Sequence, residues 1–101
     1  MARFVHVARV DEIPEGRRRR FEVEGRDIVI LCVGDEFFAI NHSCPHRGGP
    51  LGDGVVTAGE IICPQHRWKF DLATGATRRD AAVRAKVYPV KRQGDDIYVG
   101  I

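Results

Sequence analysis

Four side chains near the middle of the chain have the type and spacing to bind metal. Cys44 and His46 flank Pro45 in "SCPHRGGPLGDG", residues 43–54, and Cys63 and His66 bracket "PQ" in "CPQH". Residues 47–62 separate the two pairs, so two loops each present one thiol and one imidazole. Such soft-to-borderline donors suit zinc or iron. A Cys2His2 zinc site accepts the set, although the usual finger spacing places both cysteines on one arm and both histidines on the other. An unmetallated core is the third reading.

The mixed arms are what a two-iron cluster needs if each loop must reach both irons, giving one iron two thiolates and the other two imidazoles. This is the donor set of a Rieske centre, in which two His replace two Cys on one iron of a [2Fe-2S] cluster. The order and spacing of Cys44, His46, Cys63 and His66 favour that reading. Its charge arithmetic gives it a use: two ferric ions, two sulfides and two thiolates sum to zero when both imidazoles are neutral, whereas four thiolates leave the cluster at minus two. Adding an electron to the neutral form is easier, and the potential rises from roughly −400 mV into a range of about −150 to +300 mV.

The loops carry further signals. Gly48, Gly49, Gly52 and Gly54 let the first loop turn tightly and aim backbone N–H groups at sulfur, while Pro45 and Pro64 stiffen the arms. Asp71 followed by Ala73-Thr74-Gly75 reads as a turn closing the second loop. His42 fits neither arm and is expected as a capping or surface residue, as is His6. Cys32 lies in "DIVILCV", apolar at nearly every position, and reads as a small buried hydrophobe in a central strand covered on both faces.

The elements that position these loops read as all-β. Apolar and polar residues alternate over Phe4 to Ala8, Arg20 to Val23, Asp27 to Val33, Phe37 to Ile40, Val87 to Lys91 and Asp96 to Val99. Turn signals fall at Glu24-Gly25, Gly34-Asp35 and Gly94-Asp95, the last two where tight hairpins are expected. "DEIPEG", residues 11–16, is a further loop. Residues 41–75 lack strand patterning and read as an insertion of loops on a β scaffold.

A length of 101 residues allows one domain, so core and site share a single small fold. The net charge of +2 is small, and "RRRR" at Arg17 to Arg20 reads as the solvated face of a strand. No aromatic residue interleaves with it, so no nucleic-acid role is expected. The amino-terminal stretch lacks the apolar run of a signal peptide, no stretch approaches the roughly 20 apolar residues of a membrane span, and free thiols suit a reducing compartment. A cytoplasmic protein without a membrane role is the expectation.

The chain resembles Rieske-type [2Fe-2S] ferredoxins through "CPHRGGPL" and "CPQHRWKFDLATG", and more loosely through "VARVDEIPEG" and "VYPVKRQGDDIYVGI". The resemblance implies a Rieske fold: an antiparallel β-sandwich base (residues 1–40 and 76–101) carrying a small cluster-binding subdomain (residues 41–75). It implies one [2Fe-2S] cluster per chain, with Cys44 and Cys63 on the inner iron and His46 and His66 on the outer iron near the surface. High-potential members add a Cys to each loop and join the two in a disulfide; the corresponding positions here are Gly49 and Gln65. Those members also place a Ser and a Tyr after the second ligand His, donating hydrogen bonds to cluster sulfur, where this chain has Trp68 and Phe70. Loss of both donors implies a potential on the order of −150 mV. Trp68 and Phe70 are expected chiefly to pack the loops against the scaffold.

No Ser-His-Asp set, paired catalytic carboxylates or nucleotide loop is found, and four cluster ligands leave no open coordination position. An electron carrier is expected, not an enzyme in its own right. The resemblance implies the ferredoxin of an aromatic-ring-hydroxylating dioxygenase system, taking electrons from an NAD(P)H-dependent flavoprotein reductase and passing them to a terminal Rieske non-haem iron oxygenase, as a monomer when free. The alternative is the small subunit of an assimilatory NAD(P)H nitrite reductase. Arg47, Arg67 and Lys69 beside the ligands imply a positive rim and an acidic docking partner.

Overall fold

The structure, a computed structural model, describes residues 3–101; Met1 and Ala2, at the start of the expected base, lie outside the described residues. The strands are β1 (Phe4–Arg9), β2 (Arg18–Val23), β3 (Arg26–Val33), β4 (Glu36–Asn41), β5 (Val55–Thr57), β6 (Glu60–Ile62), β7 (Lys69–Asp71), β8 (Val87–Tyr88), β9 (Val90–Gln93) and β10 (Asp96–Gly100). They form three antiparallel sheets, ordered β1-β10-β9, β2-β3-β4-β8 and β5-β6-β7. Short 3-10 turns occupy Val10–Glu12 and Leu51–Asp53.

Strand β3 divides the interior. Successive side chains of a strand point to opposite faces, so Ile28, Ile30 and Cys32 enter one core with Ile13, Ile97 and Val99. Val29 and Leu31 enter the other, where they meet Leu51, Ile61 and Phe70 from the loop region. One face of the central sheet therefore packs on β1-β10-β9 and the other supports the region of the paired Cys and His. Cys32 is 6% exposed on the first face and is core filler, as expected; burial pushes its thiol pKa up.

Hairpin geometry fixes the registers. Val23 pairs with Arg26 across Glu24 (φ 49°) and Gly25 (φ 81°), two left-handed residues as a type I′ turn requires, and Ala58 (φ 53°) and Gly59 (φ 78°) repeat it between β5 and β6. Val33 pairs with Glu36 across Gly34-Asp35, and Gln93 with Asp96 across Gly94-Asp95, where hairpins were expected.

Three expectations need correction. The segment Val87 to Lys91 is two strands, because Pro89 lacks an N–H and the chain changes sheets there: Tyr88 pairs with Ala39 of β4, and Val90 with Val99 of β10. Residues 41–75 are not loops alone, since β5, β6 and β7 lie within them; three residues per strand are too few for an alternation to be legible. Strand β2 begins at Arg18, earlier than Arg20, because a run of arginines has no alternation to read.

Candidate metal centre

The two loops that carry the candidate ligands share one hydrogen-bond pattern. Cys44 N–H donates to Gly49 O (2.8 Å) and Gly48 N–H to Cys44 O (2.7 Å); Cys63 N–H donates to Trp68 O (2.9 Å) and Arg67 N–H to Cys63 O (2.9 Å). The residue four places after each cysteine is left-handed, Gly48 at φ 73° and Arg67 at φ 59°. Each loop is thus a closed knuckle presenting its Cys inward and its His outward.

Burial follows the same order. Cys44 and Cys63 are 3% and 1% exposed, whereas His46 is half-buried and His66 exposed. Cys63 lies close enough to Cys44 to raise its thiol pKa, and the two imidazoles lie with centroids 5.1 Å apart at 89°. Burial pushes the Cys44 thiol pKa up, opposed by the backbone N–H groups of His46 and Arg47, which point at its sulfur and favour thiolate. Burial, then His66, Arg47 and Arg79, holds His46 below the usual imidazole range and so keeps it neutral, the form that binds metal.

A bound cluster fits these residues. His46 Nδ1 is buried without a hydrogen-bond partner among the described residues, an orphan that a metal or another donor must satisfy. The donors separate by depth into a buried thiol pair and an outer imidazole pair, the division a cluster with one thiolate-bound and one imidazole-bound iron uses. A four-thiolate cluster is excluded by the count and by the fold, since the third cysteine, Cys32, lies on the opposite face of β3.

The surroundings lock this arrangement. Trp68 stacks on His46 with centroids 3.8 Å apart at 14°, while Phe70 is fully buried in the core beneath. Phe70 therefore packs as expected, and Trp68 adds a direct contact with the first His. Gly49 faces Gln65, whose Oε1 would lie 2.8 Å from a Cβ at Gly49, so the positions that carry the disulfide in the high-potential pattern face one another here without thiols. Asp71 Oδ1 accepts N–H bonds from Ala73 (2.8 Å) and Thr74 (2.9 Å), closing the second loop as expected.

Gly48 turns the first loop as expected (φ 73°), but three of the four glycine amides find partners other than sulfur. Gly48, Gly52 and Gly54 N–H groups donate to the carbonyls of Cys44, His42 and Leu51, and the amides facing Cys44 sulfur come from His46 and Arg47. What Gly54 supplies is close approach: a Cβ there would lie 2.0 Å from Ile62 O. His42 is not a surface or capping residue but 8% exposed, turned under Gly52 directly after β4 with its N–H on Asp27 O (2.8 Å). His6 is exposed on β1, with Nε2 3.0 Å from Asp96 Oδ1.

Sequence reasoning missed Arg18. Its Nη1 donates to both Gly52 O and Gly54 O at 2.7 Å, tying the first loop to edge strand β2. The rest of the arginine run behaves as a solvated face, with Arg19 on Glu12 (3.3 Å) and Arg20 bidentate to Asp27 (2.7 and 2.6 Å). Nothing in "RRRR" distinguishes the second arginine; a contact 34 and 36 residues away has no local signature.

With this geometry established, the likeness to known proteins is plain. The profile of the Rieske [2Fe-2S] domain matches residues 3–90, and the chain belongs to that family. The cofactor is a Rieske-type [2Fe-2S] cluster, which stores one electron. Over 91 residues the chain is 34% identical to the ferredoxin component of the naphthalene 1,2-dioxygenase system of Pseudomonas aeruginosa, covering 89% of this chain and 88% of that one. The ferredoxin of carbazole 1,9a-dioxygenase from Nocardioides aromaticivorans IC177 superposes with a TM-score of 0.85 at 33% identity over 95% of each chain. A structure described as a putative NADH-dependent nitrite reductase small subunit from Mycobacterium tuberculosis superposes at 0.89 but with 19% identity, over 100% of this chain and 96% of that one, a likeness of fold. No helix among the described residues is long and apolar enough to cross a membrane.

Proposed function

We propose that this chain is a low-potential Rieske ferredoxin of a ring-hydroxylating oxygenase system. Cys44 and Cys63 hold the inner iron and His46 and His66 the outer one. Single electrons come from an NAD(P)H-dependent flavoprotein reductase and go to a terminal Rieske non-haem iron oxygenase. Residues 41–75 act as the cluster-binding subdomain, borne on a base of residues 1–40 and 76–101, and the protein works as a cytoplasmic monomer. The observation that carries the reading is the depth order, buried thiols under an exposed His66 and half-buried His46. It puts the imidazole edge where a partner can approach.

The likeness to ferredoxin components at about one-third identity favours this reading over a nitrite reductase small subunit, for which the support is shared fold. Size-exclusion chromatography of a gently prepared extract, with iron–sulfur and haem absorbance read on each fraction, separates the two. A small, red, sirohaem-free species is expected. Co-elution with a large sirohaem-containing chain would overturn the proposal in favour of the nitrite reductase subunit.

A further inference from the structure

Beside the second ligand loop lies an open cleft of about 210 Å³ lined by Glu60, Arg67, Lys69, Thr77, Arg78 and Arg79. Four cations face one carboxylate. Among the described residues none of the four has an ion pair, whereas Arg3 pairs with Glu24, Arg9 with Asp11, Arg19 with Glu12 and Arg20 with Asp27; other arginines are unpaired too, but these four cations share one concavity. Unneutralised like charges around a concavity raise the local concentration of anionic partners. The Arg79 guanidinium lies 6.0 Å over the Trp68 ring, and Trp68 stacks on His46 at 3.8 Å, so a group held in the cleft is one side chain from a ligand imidazole.

Arg67 joins this cleft to a second, more apolar one of about 370 Å³ that includes Val55, Ile62 and Pro64, with Val55 67% exposed. Its backbone is left-handed (φ 59°) where the first loop has Gly48. Such a conformation is strained for a non-glycine residue, and it sets a cation at the junction of the two surfaces.

We propose that this composite face, the Arg67, Lys69, Arg78 and Arg79 cleft with the adjoining Val55, Ile62 and Pro64 surface, docks an electron-transfer protein. That partner presents clustered Asp and Glu carboxylates beside an apolar patch. The proposal rests on the electron-carrier reading and specifies which side of the ligand loops the partner covers. The carboxylates enter the basic cleft, the apolar patches are buried together, and the Trp68–His46 stack lies at the boundary. Docking is lateral, on the second loop and residues 77–79, instead of centred on Arg47 of the first loop.

The test uses cluster-loaded protein and two protein probes, an acidic flavodoxin in its hydroquinone form as one-electron donor and reduced basic cytochrome c as contrast for binding. In stopped flow each flavodoxin loses one electron and each protein gains one. The expected result is a rate that falls steeply with salt, and that drops at least about tenfold at low salt in Arg78→Glu/Arg79→Glu. The same reversal strengthens binding of cytochrome c, while Arg26→Glu/Arg92→Glu on the base leaves the flavodoxin rate within about twofold. If the reversed variant does not load a cluster, Arg78→Gln/Arg79→Gln is read in its place with an expected drop of about threefold. An unchanged rate in whichever variant is read overturns the docking proposal. A wild-type protein that accepts no electron from flavodoxin or from dithionite defeats the carrier reading itself, a different outcome.

Discussion

Removing the Arg18 side chain should release the first ligand loop without unfolding the molecule. Its Nη1 makes two charge-assisted bonds, each 2.7 Å, to Gly52 O and Gly54 O. Bonds with a charged partner contribute about 1.5–3 kcal/mol each, and partial exposure of this side chain reduces the pair to about 2 kcal/mol in total. Arg18→Ala then opens the loop about 30-fold more often, at 1.4 kcal/mol per tenfold. Iron loss to a chelator under native conditions, followed by the visible absorbance of the loaded protein, should accelerate by that factor. The urea midpoint by far-UV circular dichroism should fall less, because neither core is touched. Arg18→Lys should recover part of the effect, and Arg17→Ala, at an exposed neighbour, should behave as wild type. Iron loss at the wild-type rate in Arg18→Ala would refute the argument, and an equal acceleration in Arg17→Ala would show that charge, not contact, is responsible.

Further outcomes follow from other contacts. Gly54→Ala would put a Cβ 2.0 Å from Ile62 O and should cost more than about 3 kcal/mol in urea unfolding, whereas Gly34→Ala, with open space around it, should cost about 1 kcal/mol for its positive φ. Trp68→Ala removes the ring stacked on His46 and should broaden the histidine nitrogen couplings in pulsed EPR of the reduced protein; unchanged couplings would mean the indole does not orient that imidazole. With Trp68 and Phe70 in place of hydroxyl donors, the midpoint potential should lie on the order of −150 mV, and a value well above zero would contradict the hydrogen-bond argument. Asp27 is held below its ordinary value of 3.8 chiefly by its hydrogen bonds from Arg20. That contribution is present above the ordinary pKa and lost as pH falls through the lowered one, so the stability gap between wild type and Arg20→Ala should narrow as pH falls below the ordinary carboxylate value and close once Asp27 is protonated in the folded state. A gap that persists there would assign it to packing.

Much of the fold was legible where the signal is local. The all-apolar run from Ile28 to Leu31 does lie covered on both faces, and Gly34-Asp35 and Gly94-Asp95 do turn hairpins, because alternation and turn chemistry are written into neighbouring residues. The spacing of the four candidate ligands named a donor set whose side chains the structure brings together. What escaped depends on residues distant in sequence. His42 is buried because the chain turns under Gly52, and Arg18 is set apart from Arg17 only by the loop that comes to lie above it. Strands β5 to β7 were hidden by brevity, and the glycine amides were misassigned because a loop sequence gives the freedom to turn but not the partner each N–H finds.

If one pair of thiolates and one pair of imidazoles, from Cys44, Cys63, His46 and His66, hold a two-iron cluster, its two irons must differ. Mössbauer spectroscopy of protein loaded with iron-57 reads that difference. Expected are two irons and two acid-labile sulfides per chain, with two inequivalent iron sites in equal amounts, and loss of that one-to-one pair on His66→Ala. A single tetrahedral site, or a loaded protein containing zinc and no sulfide, would contradict that ligand set.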